Sequence, residues 1–305
     1  MPSCIPGLSW DTMADPASLA SGRWNKCMGP FSPSEYYWLI LLGLGVGLYG
    51  TLIGAGGGFV LMPFLLLLHP KLSPEHLTAI SLAVVFFNAL SGSESYAMMK
   101  RIDYKSGLMF AAATVPGAII GALSTSFVPR HVFNGVFGVL LIAGSAFLFW
   151  RPTAKHHAEK PHLHHPYVYR HLVAADGEEY DYNFNPLIGL GISFVVGYAS
   201  SFLGIGGGII HVPALIYFLD FPVHIATATS HFILAIMALT GTLVHIWTGA
   251  LHVGVRHTMA LSIGVLLGAP IGAYLSSRVH GTWIIRSLAL ALGLVGIRIL
   301  IMFFE

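Results

Sequence analysis

Ten apolar stretches run along this chain, at roughly 36–53, 57–69, 76–97, 107–127 and 132–150, then at roughly 186–203, 206–219, 225–248, 257–277 and 282–302. One bilayer crossing takes about 20 apolar residues. Backbone in hydrocarbon must satisfy its own polar groups, by helices or by a closed barrel. Long apolar runs without strand-like alternation leave one fold class, an all-α integral membrane protein. Composition agrees: 9% of the 305 residues are charged, against about a quarter in a soluble domain. With so little charge, most of the surface must face lipid. A formal net charge of +2 is too small to attract nucleic acid.

The ten stretches fall into two matching sets of five. Ile53-Gly54-Ala55-Gly56-Gly57-Gly58-Phe59 through Pro63 aligns with Leu203-Gly204-Ile205-Gly206-Gly207-Gly208-Ile209 through Pro213. Further on, Ala79-Ile80-Ser81 aligns with Ala228-Thr229-Ser230, Ser91-Gly92 with Thr240-Gly241, and Gly117 to Ala122 with Gly268 to Ala273. The chain therefore divides into an N-terminal extracytoplasmic segment 1–34, a transmembrane repeat 35–150, a polar histidine-rich loop 151–184 and a second repeat 185–305. In each set the second stretch is too short to span and follows a glycine cluster. Each repeat is expected to hold a glycine-broken re-entrant or short helix pair plus three spanning helices. An odd number of crossings per unit makes the two repeats inverted.

Lys and Arg in the loops set orientation. One side receives Lys100, Arg101, Lys105, Arg151, Lys155, Lys160, Arg170 and Arg278, the other Arg23, Lys26, Lys71, Arg130 and Arg256. This bias places the central loop in the cytoplasm and the N-terminus outside, in the inner membrane of the cell. Residues 1–34 carry Asp11, Asp15 and several prolines but no apolar core of a signal peptide. Their Cys4 and Cys27 could bridge in an oxidising compartment or stand as free thiols.

The glycine clusters carry the strongest chemical signal. Consecutive glycines inside an apolar segment break the helix and leave N–H groups unpaired, at a cost that demands burial in protein or a cavity. At the start of a following half-helix, such groups and the dipole form an anion site. Paired breaks at matching positions of two repeats are the pattern of a transporter's midplane site, whereas the same glycines could serve tight packing alone. Gly56, Gly57, Gly58, Gly206, Gly207 and Gly208 are the candidate backbone contacts to a small anion. Ser81, Asn88, Thr229 and Ser230, on the third stretch of each set, are candidate side-chain contacts, or else interhelical glue. Ionisable residues within spans are functional candidates. His231, His245 and Glu94 are the candidates for coupling a proton. The glycine pairs Gly117/Gly121 and Gly268/Gly272 read as close helix packing. Neither glycine cluster completes a dinucleotide-binding G-x-G-x-x-G, and there is no G-x-x-x-x-G-K-[ST] loop for ATP.

Together, the duplicated Gly-x-Gly-Gly-Gly with its later proline, Ala228-Thr229-Ser230 and the Gly-Ala-x-Ile-Gly pair resemble the sulfite exporter TauE/SafE family, from about Leu44 to Phe303. Ile80 departs from the pattern, standing where the second copy has Thr229, so the halves need not contribute equally. The resemblance implies export of sulfite, an organosulfonate or a related sulfur-containing anion by a secondary transporter. It calls for no enzyme activity, cofactor or metal. The expected partners are the anion, the lipid bilayer and, as candidate coupling ion, the proton. An anion channel is the alternative, and a membrane metalloenzyme using His156, His157, His162, His164, His165 and His171 of the central loop is a weaker one.

Overall fold

The computed structural model describes residues 33–69, 72–150, 167–279 and 281–304. Cys4, Cys27 and the loop histidines other than His171 lie outside these residues. The described chain forms α1 (Pro33–Ile53), α2 (Gly58–Leu68), α3 (Pro74–Met98), α4 (Tyr104–Ser124) and α5 (Arg130–Trp150). Two strands follow, β1 (Val168–Val173) and β2 (Glu179–Phe184). The second half is α6 (Pro186–Leu203), α7 (Gly208–Phe218), α8 (Val223–Trp247), α9 (Val255–Ser276) and α10 (Gly281–Phe304). Among them, α1, α3, α4, α6, α8 and α9 are long and apolar enough to cross a membrane. The chain is an all-α integral membrane protein with one small addition.

The addition is an antiparallel hairpin inside the stretch read as a polar loop, with Val168 opposite Phe184 and Val173 opposite Glu179. Its second strand alternates aromatic residues with polar ones after an Asp176-Gly177 turn, and Gly177 adopts φ +86°, where glycine is at ease. The hairpin sits against the turn between α3 and α4. Arg101 pairs with Asp176 at 2.6 Å, the Ala175 N–H donates to the Met99 carbonyl at 3.0 Å, and the Tyr182 ring lies 4.4 Å from that of Phe221.

Each half packs mainly by exchanging helices with the other. α1 lies along α9 and, correspondingly, α6 along α4, while α3 meets its counterpart α8 and α5 meets α10. The glycine pairs make the first two contacts close. A Cβ on Gly117 or Gly121 would collide with the carbonyls of Phe194 or Tyr198, and one on Gly268 or Gly272 with those of Leu44 or Leu48. Small residues thus let backbones touch, the chief means of helix association where lipid is as apolar as leucine. These contacts advance together along both chains, so α1 and α9 run parallel, as do α6 and α4. By contrast, Gly92 of α3 faces His231 of α8 and Gly241 of α8 faces Leu82 of α3, so these two helices run antiparallel.

Candidate functional site

α1 does not continue into α2. At Gly54 to Gly57 the chain reverses through φ values of +81°, +75° and +76° at Gly54, Gly56 and Gly57, a region closed to most side chains. Gly204, Gly206 and Gly207 repeat the reversal at +67°, +73° and +36°. The Ala55 and Gly56 N–H groups both return to the Gly50 carbonyl, at 2.8 and 3.1 Å. The two tips touch each other: a Cβ on Gly58 would meet the Ile205 carbonyl, and one on Gly208 the Gly54 carbonyl. Gly56 lies against Val85 and Leu234, the midpoints of α3 and α8. Both short helices α2 and α7 thus begin at the centre of the molecule. The amides of Gly57, Gly58 and Phe59, and those of Gly206 and Ile209, have no backbone acceptor among the described residues. Both tips are buried throughout.

The predicted hydroxyls hold the tips in place. Ser81 donates to the Gly204 carbonyl at 2.5 Å, and Ser230, its counterpart, to the Gly54 carbonyl at 3.4 Å. Each serine therefore ties one half's α3 or α8 to the other half's glycine turn. Thr229 accepts the Asp103 N–H at 3.1 Å and so belongs to the hairpin side rather than to the tips. Asp103 in turn accepts from Tyr182 at 2.8 Å and faces Arg170 at 3.4 Å.

Asn88 and His231 come together through a residue that sequence reasoning did not single out, Thr51. The Thr51 hydroxyl donates to Asn88 Oδ1 at 3.1 Å and lies 3.2 Å from His231 Nε2, while Tyr96 donates to the Thr51 carbonyl at 2.7 Å. Tyr96 also presents its ring edge-on to His231, with centroids 5.7 Å apart. All four residues are buried, and the His231 ring is near the Gly54 carbonyl. No local pattern marks Thr51; its position three residues before Gly54 was the available signal. The other coupling candidates lie elsewhere. His245 is buried near the far end of α8, with neither ring nitrogen having a hydrogen-bond partner among the described residues, and Glu94 is exposed on α3.

The sulfite exporter TauE/SafE sequence profile matches residues 39–299, from α1 into α10. The chain belongs to this family. It is 33% identical over 268 residues to a Bacillus subtilis protein named "Probable membrane transporter protein YunE", an alignment spanning 86% of this chain and 96% of that one. A Methanocaldococcus jannaschii protein, also named a probable membrane transporter, is 24% identical over 275 residues, covering 86% and 94%. One from Xylella fastidiosa is 27% identical over 249 residues, covering 80% and 87%. No solved structure matches the chain. The family member described here is a multi-pass membrane transporter and not an enzyme.

Proposed function

We propose that this transporter exports a small sulfur-containing anion, sulfite or an organosulfonate, and that the anion binds where the two glycine tips meet. One observation carries the reading: two half-helices start at the middle of the bundle with amides that have no backbone acceptor among the described residues, Gly57 to Phe59 on one and Gly206 and Ile209 on the other. The positive ends of their dipoles converge there. Val85, Leu234 and Met237 fill the space beside the glycines, so anion entry requires α3 and α8 to move against the tips. That closure favours a carrier over an open channel. The antiparallel α3–α8 contact supports a two-fold axis in the membrane plane relating inverted repeats. Under the Lys and Arg bias the hairpin side is cytoplasmic and the N-terminus external.

The test is flux in proteoliposomes, comparing sulfite, ethanesulfonate, sulfate and chloride with and without a pH gradient. Saturable flux of sulfite or ethanesulfonate, lost in Gly57→Val that still inserts, is the expected result. Equal flux of all four anions, or full flux in Gly57→Val, would refute the reading.

A further inference from the structure

We infer that recognition of the anion is one-sided: Asn88 and His231, positioned by Thr51, form the subsite that holds its oxygens, and the mirror-related Ser201, Met237 and Leu82 take no part. This rests on the proposal that the anion sits at the glycine tips, and deepens it.

The repeat assigns the correspondences. Thr51 matches Ser201, Asn88 matches Met237, Leu82 matches His231 and Tyr96 matches His245. The packing agrees independently. A Cβ on Gly92 would lie 2.5 Å from the His231 ring and 2.9 Å from Thr51, whereas one on its counterpart Gly241 would lie 2.9 Å from Leu82 and 3.3 Å from Ser201. The same cradle is thus built twice, with Asn88 and His231 in one copy where Met237 and Leu82 stand in the other, while Ser201 keeps a hydroxyl that has no hydrogen-bond partner among the described residues.

The polar cradle is not explained as glue. A buried polar network is stabilising only when its members are satisfied, and a group buried unpaired carries its full desolvation cost. Asn88 and His231 have no solvent exposure, yet among the described residues Asn88 Nδ2 and His231 Nδ1 have no hydrogen-bond partner. Residues whose purpose was cohesion would close these bonds, as Ser81 and Ser230 do on the glycine carbonyls.

Location supplies the rest. Asn88 is one turn beyond Val85, which touches Gly56 and Gly206; His231 follows Ser230, which holds Gly54. The free Asn88 amide offers two N–H donors, and His231 Nδ1 offers a third when the ring is protonated. Donors of this kind hold an oxyanion without the deep well of a fixed lysine or arginine. Repulsion from carboxylates is small: Glu94 is exposed, and Asp103 is engaged by Tyr182, Ser106 and Arg170. Thr51 acts as a positioning residue, its hydroxyl fixing Asn88 and His231 while Tyr96 fixes its carbonyl. Since only one of the two cradles can take an anion, each chain binds one anion despite its duplicated architecture.

The experiment is calorimetric titration of the purified full chain in nanodiscs with sulfite and with ethanesulfonate, alongside unfolding midpoints. Wild type should show one site per chain. Asn88→Leu and His231→Leu should weaken binding about tenfold or more, the scale of a lost hydrogen bond to a charged ligand. Thr51→Val should weaken it a few-fold and Thr51→Ser should restore it. Met237→Leu and Ser201→Ala should leave it within about twofold. If Asn88→Leu fails to fold, Asn88→Asp keeps size and the acceptor for Thr51 while removing the donors, and should lose binding equally. Two sites per chain, unchanged binding in the folded Asn88 variant, or equal losses from Asn88→Leu and Met237→Leu would overturn one-sidedness. Loss of binding in Gly57→Val with unchanged binding in Asn88→Leu would leave the tip site standing and sink this inference alone. No binding of either anion by wild type would take down both.

Discussion

Gly57 and Gly207 occupy matching places in sequence but not matching surroundings. A Cβ on Gly57 would lie 2.6 Å from Val46 Cγ1 and 2.7 Å from the Val46 carbonyl oxygen, at φ +76°. One on Gly207, at φ +36°, would meet the Met237 sulfur at 3.2 Å and Ser200 Oγ at 3.3 Å. Backbone cannot yield as a methionine tail can, so Gly57→Ala should cost more than Gly207→Ala. With a left-handed backbone at about 1–2 kcal/mol and overpacking at about 1–3 kcal/mol, the Gly57 variant should lose roughly 2–5 kcal/mol and the Gly207 variant about half that. Unfolding midpoints in a mild detergent check the order. The glycines themselves were legible because their type and spacing repeat. Their inequality was not, since it depends on Val46 and Met237, apolar residues that resemble any others in a span. Ser81 and Ser230 were also legible as polar residues in lipid, but only the fold shows their hydroxyls spent on glycine carbonyls.

At the scale of elements, the C-terminal end of α2 is held by Arg130 from the start of α5. Its Nη1 donates to the carbonyls of His69 at 3.2 Å and Leu72 at 2.8 Å, and its Nη2 to Leu66 at 2.8 Å. Leu66 lies in the last turn of α2, whose carbonyls a helix end leaves without partners, and His69 and Leu72 lie in the segment just beyond it. Arg130→Ala should therefore raise hydrogen exchange across the end of α2 and slow transport, and Arg130→Lys should recover part of both, because a single ammonium cannot reach all three acceptors. The hairpin makes a different prediction. The hydrogen bond to Asp181 holds the His171 imidazole above its ordinary pKa, and hydrogen bonds from Tyr169 and then His171 hold Asp181 below the usual carboxylate range. A depressed acid stabilises above its unfolded pKa, near about 3.9, and a raised histidine below its own, near about 6.5. Exchange protection of β1 and β2 should be greatest between those values. It should decline as pH rises through the folded pKa of His171 or falls through that of Asp181, and His171→Gln should abolish the alkaline decline. Apolar period and length located the helices within a few residues. The hairpin escaped that reading because β1, Val-Tyr-Arg-His-Leu-Val, does not alternate and only β2 does, although Asp176-Gly177 was a turn signal.

Across the whole molecule, antiparallel packing of α3 on α8 puts the turns that precede them on opposite faces. With Cys4 and Cys27 replaced, a cysteine at Ser73 should react with a membrane-impermeant thiol reagent added to intact cells. One at Asp220 should react only after the membrane is opened. Labelling of both from the same face would reject the inverted arrangement. Duplication was visible in the sequence. Which helices trade places was not, because Gly117 and Gly268 announce close packing without naming the backbones they meet.

That trade also bears on how the protein is made. α1 packs lengthwise on α9, Gly43 against Leu261 and Gly47 against Val265, contacts about 218 residues apart in the chain. At a synthesis rate of roughly 5–20 residues per second, α1 waits on the order of 10–40 s in the bilayer before its partner leaves the ribosome. During that interval its glycine stripe has no correct neighbour. The first repeat is an assembly intermediate rather than a folding unit, vulnerable to quality-control proteases and to pairing with another nascent copy. Pauses in translation between the repeats would lengthen that exposure and lower the yield of mature transporter, with no change to any residue.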